Sequence, residues 1–145
     1  MADELLGCCF TVHGRDYDKG GATSTEIKSI LTDLELDPGL VRRVVVVAFE
    51  AEMNVVMYAD EGHLTLTITD EDITVEMDDS GPGIPDISQA MQEGWSTATD
   101  EMREMGFGFG MGLPNIKRNS DSFAIRSEVG RGTSVVSRIR LDGHG

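Results

Sequence analysis

From His63 onward the chain changes face at every residue. Leu64, Leu66 and Ile68 alternate with Thr65, Thr67 and Thr69, and Ile73, Val75 and Met77 alternate with Thr74, Glu76 and Asp78. A period of two on either side of Asp70-Glu71-Asp72 predicts a β-hairpin with one apolar and one polar face. Upstream the spacing is helical. Thr23-Ser24-Thr25-Glu26 reads as a capping box, and Ile27, Ile30, Leu31 and Leu34 continue the helix to about Leu36. Asp37-Pro38 marks a second start, an N-cap followed by proline at the first helical position. Val44 to Val47 favour a strand by local propensity. The apolar segment nevertheless runs on to Tyr58, longer than a typical strand, and so predicts a helix.

The remaining segments are shorter. Cys8 to His13 is strand-like, and Ile87 to Met91 suggests a short helix after a Gly/Pro-rich break. A glycine-rich loop then leads into another helix from about Leu113, with Pro114 in its first turn. Phe123 to Ser127 and Ser134 to Leu141 form a second hairpin across Val129-Gly130-Arg131-Gly132. Two hairpins with one polar face, and about three helices to cover the other, describe a two-layer α+β sandwich. Its sheet is expected to be mixed and mostly antiparallel, covered on one face by helices. Hairpin pairing argues against a doubly wound parallel sheet. Nothing divides the 145 residues, so 1–145 is expected to form a single domain.

Composition narrows the function. Twenty-six acidic residues against 12 basic ones leave a formal charge of −14. Binding a nucleic-acid backbone needs clustered cations, and so does binding an anionic membrane, so neither partner is expected. No apolar run approaches the ~18 residues of a membrane span. The acidic start, Asp3 and Glu4, lacks a signal-peptide pattern, so a cytoplasmic location is expected. Cys8 and Cys9 are adjacent and would point to opposite faces of a strand, which predicts free thiols.

Glycine carries more information: there are 17, and they cluster where chemistry is possible. Asp79-Ser80-Gly81-Pro82-Gly83-Ile84-Pro85 follows a strand. A tight turn explains it, as does a loop that lets backbone approach a flat ligand while Asp79 accepts its hydrogen bonds. Gly106-Phe107-Gly108-Phe109-Gly110-Met111-Gly112-Leu113 precedes a helix and can turn backbone N–H groups toward phosphates. It fits neither GxGxxG nor a P-loop. Glu50 and Asn54, four apart, share one helix face; a solvated face explains them, but Asn54 also offers an oxygen suited to Mg²⁺.

The order of these elements is more specific than any one of them. An Asn-bearing helix, a hairpin, Asp-x-Gly-x-Gly, Gly-x-Gly before a helix, and a hairpin with Gly132-Thr133 resembles the ATP-binding (GHKL) fold of gyrase, Hsp90, histidine kinases and MutL. Within that superfamily, three stretches resemble the serine-protein kinases that regulate sigma factors, including the stressosome switch kinase. They are Ala90 to Ala98, Gly110 to Arg118 and Ser127 to Thr133.

The resemblance implies roles. Asp79 would accept the adenine amino group, with Gly81 and Gly83 allowing close approach and Thr133 supporting the same edge. Asn54 would hold Mg²⁺ together with ATP phosphates and waters. Glu50 would be the general base. Gly108, Gly110, Met111, Gly112 and Leu113 would cradle the phosphates. Residues 95–111 would form a lid carrying Ser96, Thr97 and Arg103. The implied activity is ATP-dependent serine/threonine phosphorylation of a STAS-domain protein of the anti-anti-sigma type, in partner switching with a sigma factor or other target, from a homodimer. The alternative is a nucleotide-gated binding module without significant kinase activity. A histidine-kinase catalytic domain fits less well, because His13, His63 and His144 lie on no phosphoacceptor hairpin.

Overall fold

A computed structural model describes residues 4–92 and 112–141. Its sheet is built from β1 (Glu4–His13), β2 (Glu61–Thr69), β3 (Asp72–Asp79), β4 (Ser122–Glu128) and β5 (Gly132–Arg140). They lie in the order β1-β2-β3-β5-β4, and all four pairings are antiparallel. Over one face pack α1 (Ala22–Asp33), α2 (Pro38–Tyr58), α3 (Ile87–Ala90) and α4 (Gly112–Arg118). This is the expected helix-on-sheet α+β sandwich.

The alternation read from the hairpin sets the layers. Leu64, Leu66, Ile73 and Val75 point under the helices and are buried, while Thr65, Thr67, Thr74 and Glu76 face the opposite side. β1 starts at Glu4, earlier than its apolar pattern indicated. Along it Val12 is buried and Phe10 and Cys8 pack half-buried on the core, while Cys9 is exposed; both thiols are free.

The valine run is helical, as its length predicted. Successive helical residues turn by about 100°, so Val44 and Val47 are buried while Val45 and Val46 are only half-buried. Asp37 opens α2 by accepting the Leu40 N–H at 3.1 Å, with Pro38 at the first helical position.

The start of α1 differs from expectation. Thr23 and Glu26 form no capping box; the N-cap is Gly21, at φ 96°, and no side chain of its own segment caps it. The acceptors come from α2. Buried Glu52 takes the N–H of Thr23 through Oε2 and that of Ser24 through Oε1, each at 3.1 Å. The helix also ends earlier, at Asp33. Glu35 adopts φ 58°, its N–H donates to Thr32 O, and that of Leu36 reaches Leu31 O. This Schellman reversal folds Leu36 back onto the core, which is why it looked like part of the helical stripe.

Candidate nucleotide site

Two groups of predicted residues gather beside α2. The first lies between α2 and α4. Glu50 and Asn54, one turn apart, are half-buried and both border the first residue of α4. A Cβ on Gly112 would lie 3.3 Å from Asn54 Oδ1 and 3.5 Å from Glu50 Oε2, so glycine leaves the space before both polar heads open. Leu113 and Ile116 are buried and fix α4 on the core. Asn115 Nδ2 donates to Glu50 Oε2 at 3.3 Å, and Arg118 Nη1 donates to Asn115 Oδ1 at 3.1 Å. Burial raises the Glu50 pKa above the usual carboxylate value, and the Asn115 bond partly opposes that rise.

The second group lies at the end of β3, where Asp79 pairs in register with Thr133. Asp79 Oδ1 accepts the Gly81 N–H at 2.9 Å and the Thr133 N–H at 3.1 Å. Burial raises its pKa, those two bonds pull it down, and the Asp78 charge adds to the rise. Gly83, at φ 80°, runs so close to the Glu128 carbonyl that no Cβ fits between them. Ser127 holds that loop: its Oγ accepts the Ile84 N–H at 2.7 Å, donates to Gly132 O at 3.1 Å, and lies 2.8 Å from Thr133 Oγ1.

Glu50, Asn54 and Gly112 therefore converge in one place, with Leu113 next in the chain but buried in the core, and Asp79, Gly81, Gly83 and Thr133 converge in another. α2 connects the two places, because Ala59 at its end borders Gly81. Gly108, Gly110, Met111, Ser96, Thr97 and Arg103 lie outside the described residues. Asn115, Ser127 and Glu52 were not among the predicted site residues. Ser127 was detectable, since it takes the core-facing position after Phe123 and Ile125 on β4. Asn115 stands three residues after Gly112, which returns a helical side chain to the same face.

Among the described residues no group of three His, Cys, Asp or Glu side chains could enclose a metal. A hard cation shared with ligand phosphates needs less from the protein, and the Asn54 amide oxygen facing the open space at Gly112 fits that requirement.

The fold is that of an ATPase domain of the GHKL type. Residues 39–143 match the family of histidine kinase-, DNA gyrase B- and HSP90-like ATPases, and the chain belongs to that family. Among curated proteins it is similar to the serine/threonine-protein kinase RsbT of Bacillus subtilis, 33% identical over 97 residues covering 64% of this chain and 67% of that protein. It is also similar to the anti-sigma F factor of Clostridium acetobutylicum, 31% identical over 74% of this chain and 76% of that protein. A solved chain of the SiaB–SiaC complex from Pseudomonas aeruginosa shares the fold at a TM-score of 0.63. That match has 14% identity and covers 94% of this chain and 89% of the other.

Proposed function

We propose that this chain is an ATP-dependent serine/threonine-protein kinase that phosphorylates a STAS-domain protein of the anti-anti-sigma type. The observation that carries the reading is the Glu50 carboxylate, half-buried with a raised pKa, set beside the Asn54 amide at the gap left by Gly112. A proton acceptor and a neutral oxygen ligand one turn apart suit phosphoryl transfer, where catalysis is mostly positioning and charge stabilisation. As the substrate hydroxyl oxygen bonds to the γ-phosphorus, the bond to ADP breaks and the hydroxyl proton passes to Glu50.

On this reading Asp79 accepts the adenine amino group and Thr133 supports the same edge. Gly81 and Gly83 let the ring lie close, and Gly108, Gly110, Met111, Gly112 and Leu113 cradle the phosphates. Ser96, Thr97 and Arg103 belong to a lid over residues 95–111. Asn54 would hold Mg²⁺, which would supply charge neutralisation for the phosphates. In a −14 protein that neutralisation carries unusual weight, because the chain otherwise repels a polyanion.

The names of the relatives support partner switching, in which added phosphate charge breaks one protein contact and frees the kinase for another, a sigma factor among the candidates. A single domain, a homodimer and a cytoplasmic location belong to the same proposal. No helix among the described residues is long and apolar enough to cross a membrane.

The test incubates the pure protein with γ-labelled Mg-ATP and a lysate of its source organism, beside Glu50→Gln. A labelled small protein that disappears with Glu50→Gln is the expected result, and mass spectrometry then identifies it. ATP binding by calorimetry without any transfer would instead make the chain a nucleotide-gated binding module.

A further inference from the structure

Asn115 stands between two groups of opposite hydrogen-bonding character. On one side is Glu50 Oε2, which when ionised only accepts; on the other is the Arg118 guanidinium, which only donates. An amide satisfies both at once in one orientation: Oδ1 must face Arg118, so Nδ2 must face Glu50. The helix that carries it is secured independently of this side chain. Ile116 is fully buried, and Asn119 Nδ2 and Ser120 Oγ cap the carbonyls of Asn115 and Ile116 at 2.9 and 2.6 Å. Arg43 Nε on α2 also donates to the Asn119 carbonyl at 3.2 Å, tying the end of α4 to the helix that bears Glu50.

We infer that Asn115, oriented by Arg118, is a positioning residue for the Glu50 carboxylate. The amide holds Oε2, the oxygen that borders the gap at Gly112, by one of its lone pairs, so rotation of the carboxylate is restrained while its remaining lone pairs stay open to the substrate proton. Unlike a like-charged or apolar side chain, the neutral amide donates to the base without cancelling its charge. This rests on the proposal that Glu50 is the base, and the experiment separates the two.

The full chain is assayed for steady-state phosphate release from Mg-ATP, with water as acceptor, in the wild type and in Asn115→Leu, Asn115→Gln, Arg118→Met and Glu50→Gln. Misplacing a base costs on the order of 10- to 100-fold in rate. Asn115→Leu is expected to lose about that much kcat with ATP affinity by calorimetry unchanged, and Asn115→Gln, which keeps the donor, to recover most of it. Arg118→Met should fall in between. The Asn115 side-chain amide resonances in solution should move on Glu50→Gln. Wild-type kcat in Asn115→Leu, or amide resonances indifferent to Glu50→Gln, overturns the inference. Full turnover in Glu50→Gln overturns the base reading instead.

Discussion

Glu52 and Thr23 meet across two helices: the carboxylate Oε2 of one accepts the backbone N–H of the other at 3.1 Å, with Ser24 held in parallel by Oε1. Glu52 is 2% exposed and lies two residues from Glu50, so α2 turns one carboxylate toward α1 and another toward α4. The buried one serves architecture. Hydrogen bonds to charged groups contribute about 1.5–3 kcal/mol each, and a buried donor left alone costs a similar amount. Glu52→Leu is therefore expected to lose at least about 3 kcal/mol in urea unfolding, and Glu52→Gln, which keeps one acceptor, roughly half of that.

Asp79 divides its two oxygens between different tasks. Oδ1 is committed to the Gly81 and Thr133 N–H groups, which leaves Oδ2 for a ligand. Asn can keep the first task and fail the second by presenting its NH₂. Because burial also raises the Asp79 pKa, Asp79→Asn should melt no lower than the wild type at neutral pH, yet weaken ATP binding by about 1.5–3 kcal/mol. Unaltered affinity by calorimetry would remove Asp79 from the adenine site.

Glu50 should lose chemistry rather than affinity, with the same sign of effect on stability. Burial raises its folded pKa above the ordinary 4.5, so the folded chain keeps this proton to higher pH than the unfolded chain does. Folding then takes up protons between those two values. The stability owed to Glu50 accordingly falls as pH rises through that window and stays lower above it. Glu50→Gln should abolish phosphoryl transfer yet melt above the wild type at neutral pH, with the difference shrinking below the ordinary value. Parallel melting scans across pH measure it.

Three glycines should respond differently to alanine. Gly130 has φ 85° with nothing near its missing side chain, so Gly130→Ala should cost only about 1 kcal/mol of backbone strain. Gly132, at φ 134°, also abuts the Asp79 carbonyl, so Gly132→Ala should lower both stability and ATP affinity. Gly112→Ala would put a methyl 3.3 Å from Asn54 Oδ1 and should lower Mg-ATP affinity while the protein stays folded. Calorimetry beside urea unfolding separates the three.

What was legible in the chain were features that repeat or punctuate. The alternation from Leu64 to Met77 set the sheet faces, and Asp37-Pro38 set the start of α2. The order of the glycine loops pointed to the family. Features that depend on a distant partner were not legible. Thr23 to Glu26 had the composition of a capping box, but the acceptors came from Glu52, 29 residues from Thr23. Glu35 closes α1 in a left-handed conformation that its side chain does not favour, because Leu36 gains burial by the reversal. Within the candidate site, Glu50, Asn54 and Asp79 were nameable in advance and Asn115 had only its spacing from Gly112, since its bond to Glu50 forms only once α4 lies against α2.

The hydroxyl pair of Ser127 and Thr133 has a polarity that can reverse. Ser127 has one proton and two takers, the Gly132 carbonyl and the Thr133 hydroxyl. When that proton goes to Gly132, Thr133 must donate back to Ser127 and offers its outer side only lone pairs. When it goes to Thr133, the Thr133 proton is released to point outward. A ring edge lying there can therefore be met as donor or as acceptor, at the cost of turning two hydroxyls. The ionised Asp79 has no such freedom: it only accepts. On the proposed adenine site, discrimination among bases would then fall to the carboxylate, while the hydroxyls conform to whatever it admits.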